Sequence, residues 1–272
     1  MNTVTNPVLG SLARTGRIGI GIPASQGGSG GDLADLFDTV GEAARSSPAT
    51  ARILAVQRHF AEVLLASENI GLAEYWLDYI LDGSISGACT ATWPEVALPA
   101  LAAREAGMAW RVSGALHAVP NVGEGWYLVT ALLQPKAARA PYLVLLNSEQ
   151  DGLVRESANW GGVDADDFAA LSARDVFFRA DEILHEDNTQ IRGELMRFAA
   201  YLRCAIDAGR ARSAVESMEG AAGANGRATL ARTVDTLLRP TSHARSARKL
   251  PGIEELRSVA RSLRSLHDPA IA

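Results

Sequence analysis

Two glycine-rich spellings near the start of the chain could each do chemistry. Gly27-Gly28-Ser29-Gly30-Gly31 has the G-x-S-x-G order of a nucleophile elbow, in which a strand enters a strained turn and runs straight into a helix so that the serine hydroxyl stands exposed. Ala24, Ser25 and Gln26 do not form an apolar strand, so this segment reads as a glycine turn. Gly19-Ile20-Gly21-Ile22-Pro23-Ala24 spells a dinucleotide fingerprint, but Pro23 stands inside it and another glycine loop follows where a phosphate-binding helix N-terminus is needed. Histidines 59, 117, 185, 243 and 267 show no i, i+4 pairing, and a single adjacent carboxylate such as Glu186 beside His185 does not make a ligand set, so no metal centre is expected. Cys89 and Cys204 each sit in an apolar segment and read as reduced core residues. Glu254 and Glu255 are late carboxylates in the first turn of a terminal helix, where the helix dipole explains acidic side chains. These residues assign no catalytic group.

The elements that must position any site fall into three blocks. From residue 32 to 82 the apolar residues keep helical spacing: Leu33, Leu36, Phe37, Val40 and Ala44 mark one buried face, and two further helices follow over ARILAVQRHFAEVLLAS and GLAEYWLDYILDG. The middle contains short apolar, β-branched and aromatic runs separated by Gly, Pro, Asn and Asp: ISGACTAT, MAWRVSGALHAV, GWYLVTALL, APYLVLLN and FAALSARDVFFR. Their spacing leaves no room for crossover helices, which predicts antiparallel neighbours in a small barrel or sandwich. A long helix starts at Asp187, with Gln190 at the capping distance, and carries Ile191, Leu195, Phe198, Leu202, Ile206, Val215 and Met218. Gly220, Gly223 and Gly226 are expected to end it, with two shorter helices beyond, ATLARTVDTLLRP and PGIEELRSVARSLRSLH, joined by a polar linker. The expected fold class is α+β and multi-domain: an N-terminal helical domain (1–84), a central antiparallel β-barrel or sandwich (85–186) and a C-terminal helical bundle (187–272).

Composition narrows the classes further. The chain has 272 residues, 47% hydrophobic, with a formal net charge of -5, which describes a globular protein and excludes disorder. No run reaches a membrane-spanning length and the start lacks an apolar secretory core, so a cytoplasmic protein without a membrane partner is expected. Residues 1–84 hold nine acidic and five basic side chains, whereas 227–264 hold nine basic and three acidic. That positive stripe could attract phosphate, but no aromatic residue interleaves it and the whole chain is acidic, so nucleic acid is not an expected partner.

The stretch IGIGIPASQGGSGGDLADLFDTVGEAARSSPATARILAV resembles the signature of the acyl-CoA dehydrogenase family, in which an I-P-x-x-x-G-G-x-G turn precedes a helix. GACTATWP falls where that family has a T-E-P segment, MAWRVSGALHAVPNV where it has a strand followed by an aromatic-apolar-Thr/Ser-Asn run, and LSARDVFFRADEIL where it leaves the β domain. The resemblance runs from residue 18 to about 220. It implies a three-part fold that dimerises and binds FAD across a subunit interface. It also implies an FAD-dependent oxidoreductase acting on the CH-CH group of an acyl thioester, in fatty acid metabolism.

By the same resemblance FAD would lie against the β domain near Thr90, Thr92, Val119 and Asn121. Departures from the pattern point to an eroded flavin site and to loss of the cofactor. Trp93 replaces the acid of T-E-P, Ala97-Leu98-Pro99 replaces the hydroxyl that embraces the diphosphate, and Leu116, Ala118 and Pro120 fall on the family's Lys, aromatic and Thr/Ser. The family's Arg-aromatic-Gly loop, its glycine-rich FAD contact and its usual catalytic glutamate do not occur, so the catalytic residue is unknown. The alternative readings are a non-catalytic subunit that forms a homo- or hetero-oligomer with an acyl-CoA dehydrogenase-like partner, and a flavin-free protein that binds a small metabolite.

Overall fold

In the computed structural model, residues 6–90, 101–122, 125–156, 168–187, 189–241 and 250–268 are described. Seven α-helices and eight strands are found among them. They form two compact units, each assembled from separate stretches of chain: Met1–Thr15 with Val56–Leu195, and Gly16–Ala55 with Met196–Ala272. Two of the three boundaries fall inside long helices, and the third follows the first helix, at Thr15.

The first unit contains α1 (Pro7–Arg14), the later turns of α3 (Pro48–Leu65), α4 (Ile70–Leu81) and all the strands. Pro7 opens α1, and the Asn6 side chain accepts from the Val8 N–H at 2.9 Å. Asn69 caps α4 by accepting from Leu72 N–H, while its amide donates to the Asp181 carbonyl at 2.9 Å. Gly83 reverses the chain after α4 at φ +71, where a Cβ would lie 2.8 Å from the Leu9 carbonyl oxygen.

The strands are β1 (Ser86–Cys89), β2 (Leu101–Ala106), β3 (Ala109–Pro120), β4 (Tyr127–Pro135), β5 (Tyr142–Asn147), β6 (Leu153–Glu156), β7 (Phe168–Arg179) and β8 (Ile183–His185). They lie in the order β6-β7-β3-β2-β4-β5-β8, with β1 also on β4. This corrects the all-antiparallel barrel or sandwich: the sheet is mixed and open. β4 pairs in parallel with β1 over Tyr127–Thr130 and with β2 over Leu133–Pro135. The other pairs are antiparallel. A parallel pair needs a crossover but not a helical one, and here β3 carries the chain back between β2 and β4. Gly107, at φ +68, and Met108 make the two-residue turn of the β2–β3 hairpin, with Ala106 opposite Ala109. Val112, Leu116, Val119, Val129, Leu133, Val144, Leu146, Leu171, Val176 and Phe178 fill the core of this unit.

The second unit gathers the glycine turn, α2 (Leu33–Ser46), most of α5 (Thr189–Glu216), α6 (Gly220–Thr241) and α7 (Ile253–His267). A reciprocal capping box starts α2: Asp32 Oδ1 accepts from Ala34 N–H and Asp35 N–H, and Asp35 Oδ2 accepts from Asp32 N–H. Leu33, Leu36, Phe37, Val40 and Ala44 are buried as their spacing predicts. α5 is the spine: the Tyr201 hydroxyl donates to the Leu33 carbonyl at 2.8 Å and sits 3.2 Å from Thr241 Oγ1, and the Cys204 thiol donates to the Leu256 carbonyl.

The glycine run after α5 is a second correction, because Gly220, Gly223 and Gly226 lie within α6. A Cβ on Gly223 would stand 2.3 Å from the Met218 carbonyl oxygen and one on Gly226 2.9 Å from Val215 Cγ1. These glycines allow α6 to pack close against the end of α5, and the alanines among them sustain the helix. The linker over 242–249 lies outside the described residues. Among the described residues no helix is long and apolar enough to cross a membrane.

Candidate functional site

The residues singled out for a flavin sit around the start of β4 and the end of β3. Thr90 follows β1, is buried, and donates through both N–H and hydroxyl to the Thr130 carbonyl on β4, at 3.3 and 2.6 Å. Beside it, burial pushes the Cys89 thiol far above its ordinary value, so it stays protonated and inert. Thr92 lies outside the described residues, together with Trp93, Pro94 and 97–99. Val119 is fully buried opposite Ala169, just past an irregularity in the β3–β7 ladder where Ala118 takes φ +53. Asn121 follows β3 at φ +60, half-buried.

Both Asn121 amide hydrogens are committed inward. One goes to Gln57 Oε1 at 3.0 Å and the other to the Gly87 carbonyl at 2.9 Å. Gln57, on α3 and fully buried, is saturated: its amide donates to the Ile80 and Ile85 carbonyls, each at 2.9 Å, and its oxygen accepts from Gly87 N–H and from Asn121. Gly87 itself presses on the Phe60 ring, where a Cβ would stand 2.4 Å away. The sequence reading missed Gln57. Its signal was a lone amide inside the apolar face of ARILAVQRHF, which a buried site tolerates only when fully hydrogen-bonded.

Thr90, Val119 and Asn121 therefore bring together two side-chain acceptors with lone pairs to spare, Thr90 Oγ1 and Asn121 Oδ1, and no uncommitted side-chain donor. A diphosphate calls for donors, and a flavin ring edge calls for donors at its carbonyls and an acceptor at its N3–H. As placed, these three side chains offer a bound FAD no side-chain donor.

A titratable cluster that sequence spacing did not reveal lies in the second unit. Asp207, on α5 and 1% exposed, faces Arg203 Nε at 3.8 Å on its own helix, and Arg264 Nε at 3.6 Å and His267 Nε2 at 3.7 Å on α7. Among the described residues neither carboxylate oxygen is within hydrogen-bonding geometry of a donor. Burial raises the Asp207 carboxyl above its ordinary value against the opposing pull of Arg203, Arg264, His267 and Arg210. Burial and Arg210 lower His267, against Asp207 and Asp268. The cluster joins α5 to α7 through charge.

The remaining candidates are structural. Ser29 donates its hydroxyl to the Gly16 carbonyl at 2.7 Å, and a Cβ on Gly28 would lie 2.2 Å from the Ile22 carbonyl oxygen, so the motif is a packed turn. Glu254 and Glu255 are exposed on α7, with Glu254 paired to Arg257 at 2.6 Å. His59 is fully buried on α3, and burial, then the neighbouring Arg58, lowers its pKa to about 3. Among the described residues no three His, Cys, Asp or Glu side chains are grouped to hold a metal ion.

Comparison of the sequence with known protein families and with curated proteins finds no match. Solved structures do match. The butyryl-CoA dehydrogenase of Megasphaera elsdenii superposes with a TM-score of 0.80 at 16% identity, over 96% of this chain and 76% of that one. A glutaryl-CoA dehydrogenase from Mycobacterium smegmatis, solved with FADH2, gives 0.73 at 15% identity over 97% and 77%. The nitrososynthase of Micromonospora carbonacea var. africana gives 0.71 at 18% over 96% and 75%. The chain has an acyl-CoA dehydrogenase-like fold.

Proposed function

We propose that this chain is an acyl-CoA dehydrogenase-like protein that keeps the scaffold as a non-catalytic subunit, its flavin-facing side chains given over to packing. The observation that carries the reading is the Asn121 amide, both of whose hydrogens are committed to Gln57 and Gly87. Thr90 supports it, because its hydroxyl hydrogen is committed to Thr130. The partner on this reading is a second copy or an intact homologue, in the cytoplasm, where buried thiols such as Cys89 and Cys204 stay reduced.

The visible spectrum of the purified full chain tests it, recorded as isolated and again after incubation with FAD and desalting. A colourless protein that retains no FAD is expected. Stoichiometric flavin absorbance that survives desalting overturns the proposal.

A second reading, FAD-dependent oxidation of an acyl thioester, is favoured by the superposition on a dehydrogenase solved with FADH2. Bound FAD would supply the hydride acceptor. Of the candidate residues, the acceptors Asn121 Oδ1 and Thr90 Oγ1 and main-chain groups of the β module would remain to orient it.

A further inference from the structure

Residues 59–103 contain no lysine or arginine, yet Glu62, Glu68, Glu74, Asp78, Asp82 and Glu95 lie among them. α4 runs through the middle of this stretch. Its inner face is Ala73, Leu77 and Ile80, all buried. Its outer face carries two adjacent rows: Glu74, Asp78 and Asp82 in one, and Tyr75 and Tyr79 in the other, with Ile70 at the start. Ile70 is 66% exposed, Tyr75 57% and Tyr79 38%.

The rings are already arranged. Tyr75 meets half-buried Trp76 edge-on at 4.7 Å and Tyr79 at 5.9 Å; Trp76 lies 6.0 Å from Tyr79 and 6.5 Å from Trp126, which precedes β4. Four linked rings lose little conformational freedom on docking, and Tyr and Trp dominate binding energy at interfaces. Among the described residues no basic side chain pairs with Glu74, Asp78 or Asp82.

A carboxylate row beside a ring row fits one side chain better than others. Guanidinium pairs with carboxylates in a planar fork and stacks on aromatic faces, whereas ammonium does neither as well. The chain already shows this contact on its surface, with the Arg111 guanidinium 5.2 Å from the centre of the exposed Phe177 ring.

The chain also carries exposed arginines on α6 and α7, set among the exposed Asp235, Glu254 and Glu255. Arg232 and Arg239 are exposed on α6, and Arg257 and Arg261 are exposed one turn apart on α7. Two of them hold only exposed local pairs, Arg239 with Asp235 and Arg257 with Glu254, which contribute little and exchange readily.

We propose that the acidic-aromatic face of α4 docks the arginine-bearing face of α6 and α7 of a second copy, so that the protein self-associates through guanidinium contacts to Tyr75, Tyr79, Glu74 and Asp78. The inference is independent of flavin binding. Association is steered by opposite charge and weakens as salt screens it.

Sedimentation velocity on the full chain, at about 0.1 M and about 1 M salt, tests the proposal. An oligomer is expected at low salt that dissociates at high salt. Tyr75→Ala/Tyr79→Ala weakens association about 30-fold or more. Glu74→Arg/Asp78→Arg and Arg257→Glu/Arg261→Glu each give monomer, and combining these two pairs restores association. All these positions are exposed, and circular dichroism is the check that each variant folds. A low-salt monomer overturns the proposal, as does an oligomer indifferent to Glu74→Arg/Asp78→Arg. A monomer that instead binds a fluorescent oligoarginine peptide identifies a foreign basic partner and equally overturns docking between copies.

Discussion

Asn121 and Gln57 meet amide to amide, 3.0 Å apart, and the contact ties the end of β3 to the middle of α3 across 64 residues of sequence. Gln57→Leu keeps the volume but leaves the Gly87 N–H and one Asn121 N–H without acceptors, at about 1–3 kcal/mol each. We expect urea unfolding to show a loss of about 3 kcal/mol for Gln57→Leu and about 1–2 kcal/mol for Asn121→Ala. The double variant is expected to lose less than the sum, because one hydrogen bond is shared.

His59 makes stability fall in acid. Burial, with Arg58 adding to it, holds the folded-state pKa at about 3, below the unfolded value of about 6.5. The contribution is therefore fully present above pH 6.5 and is lost as the pH falls from there toward 3, at up to about 1.4 kcal/mol per pH unit. Chemical denaturation across that window is expected to show this slope in the parent and a shallower one in His59→Gln.

Asp207 is expected to respond in the opposite direction. Its folded-state pKa is raised by burial, so its protonation favours the fold below the unfolded carboxylate range and that contribution is lost as the pH rises through the folded value. At neutral pH, Asp207→Ala removes the carboxylate that faces Arg203 and Arg264 and is expected to cost about 1 kcal/mol, because both guanidinium groups keep about a third of their surface in water. Replacing Asp207, Arg203 and Arg264 together with leucine and methionine is expected to recover most of that loss, measured by thermal unfolding.

Two glycines of α5 offer an internally controlled pair. A Cβ on Gly209 would stand 2.1 Å from the Gly41 carbonyl oxygen and 2.8 Å from Ala44 Cβ, whereas one on Gly193 meets nothing within 4 Å. Alanine at either gains about 1 kcal/mol of helix propensity. At Gly209 the steric cost of parting α2 from α5 exceeds that gain, so Gly209→Ala is expected to lower Tm and Gly193→Ala to raise it, in differential scanning calorimetry.

Local pattern revealed most of the helices. α2 was legible in Leu33, Leu36, Phe37, Val40 and Ala44, and the strand cores in runs such as YLVTALL and YLVLLN. β2 was not, because LAAREA has the composition of a helix; it is a strand because β3 and β4 pair with it on both sides. β6 and β8 are only four and three residues long, too short for periodicity to register. Gly220, Gly223 and Gly226 read as a helix stop because a close approach to Met218 and Val215 leaves no local mark. The site was half legible for the same reason: Asn121 stood in a recognisable run, but Gln57, like the α7 partners of Asp207, is set by tertiary contact.

Each compact unit is stitched from two separate stretches, and this fixes an order of events at the ribosome. Residues 16–55 emerge early, yet the segments that complete their unit, from Met196 onward, follow only after residues 56–195 have been made, on the order of ten seconds later. Through that interval the apolar side of α2, with Leu36, Phe37 and Val40, waits for α5, whose Tyr201 ring meets Phe37, and offers chaperones that shield nascent chains a place to bind.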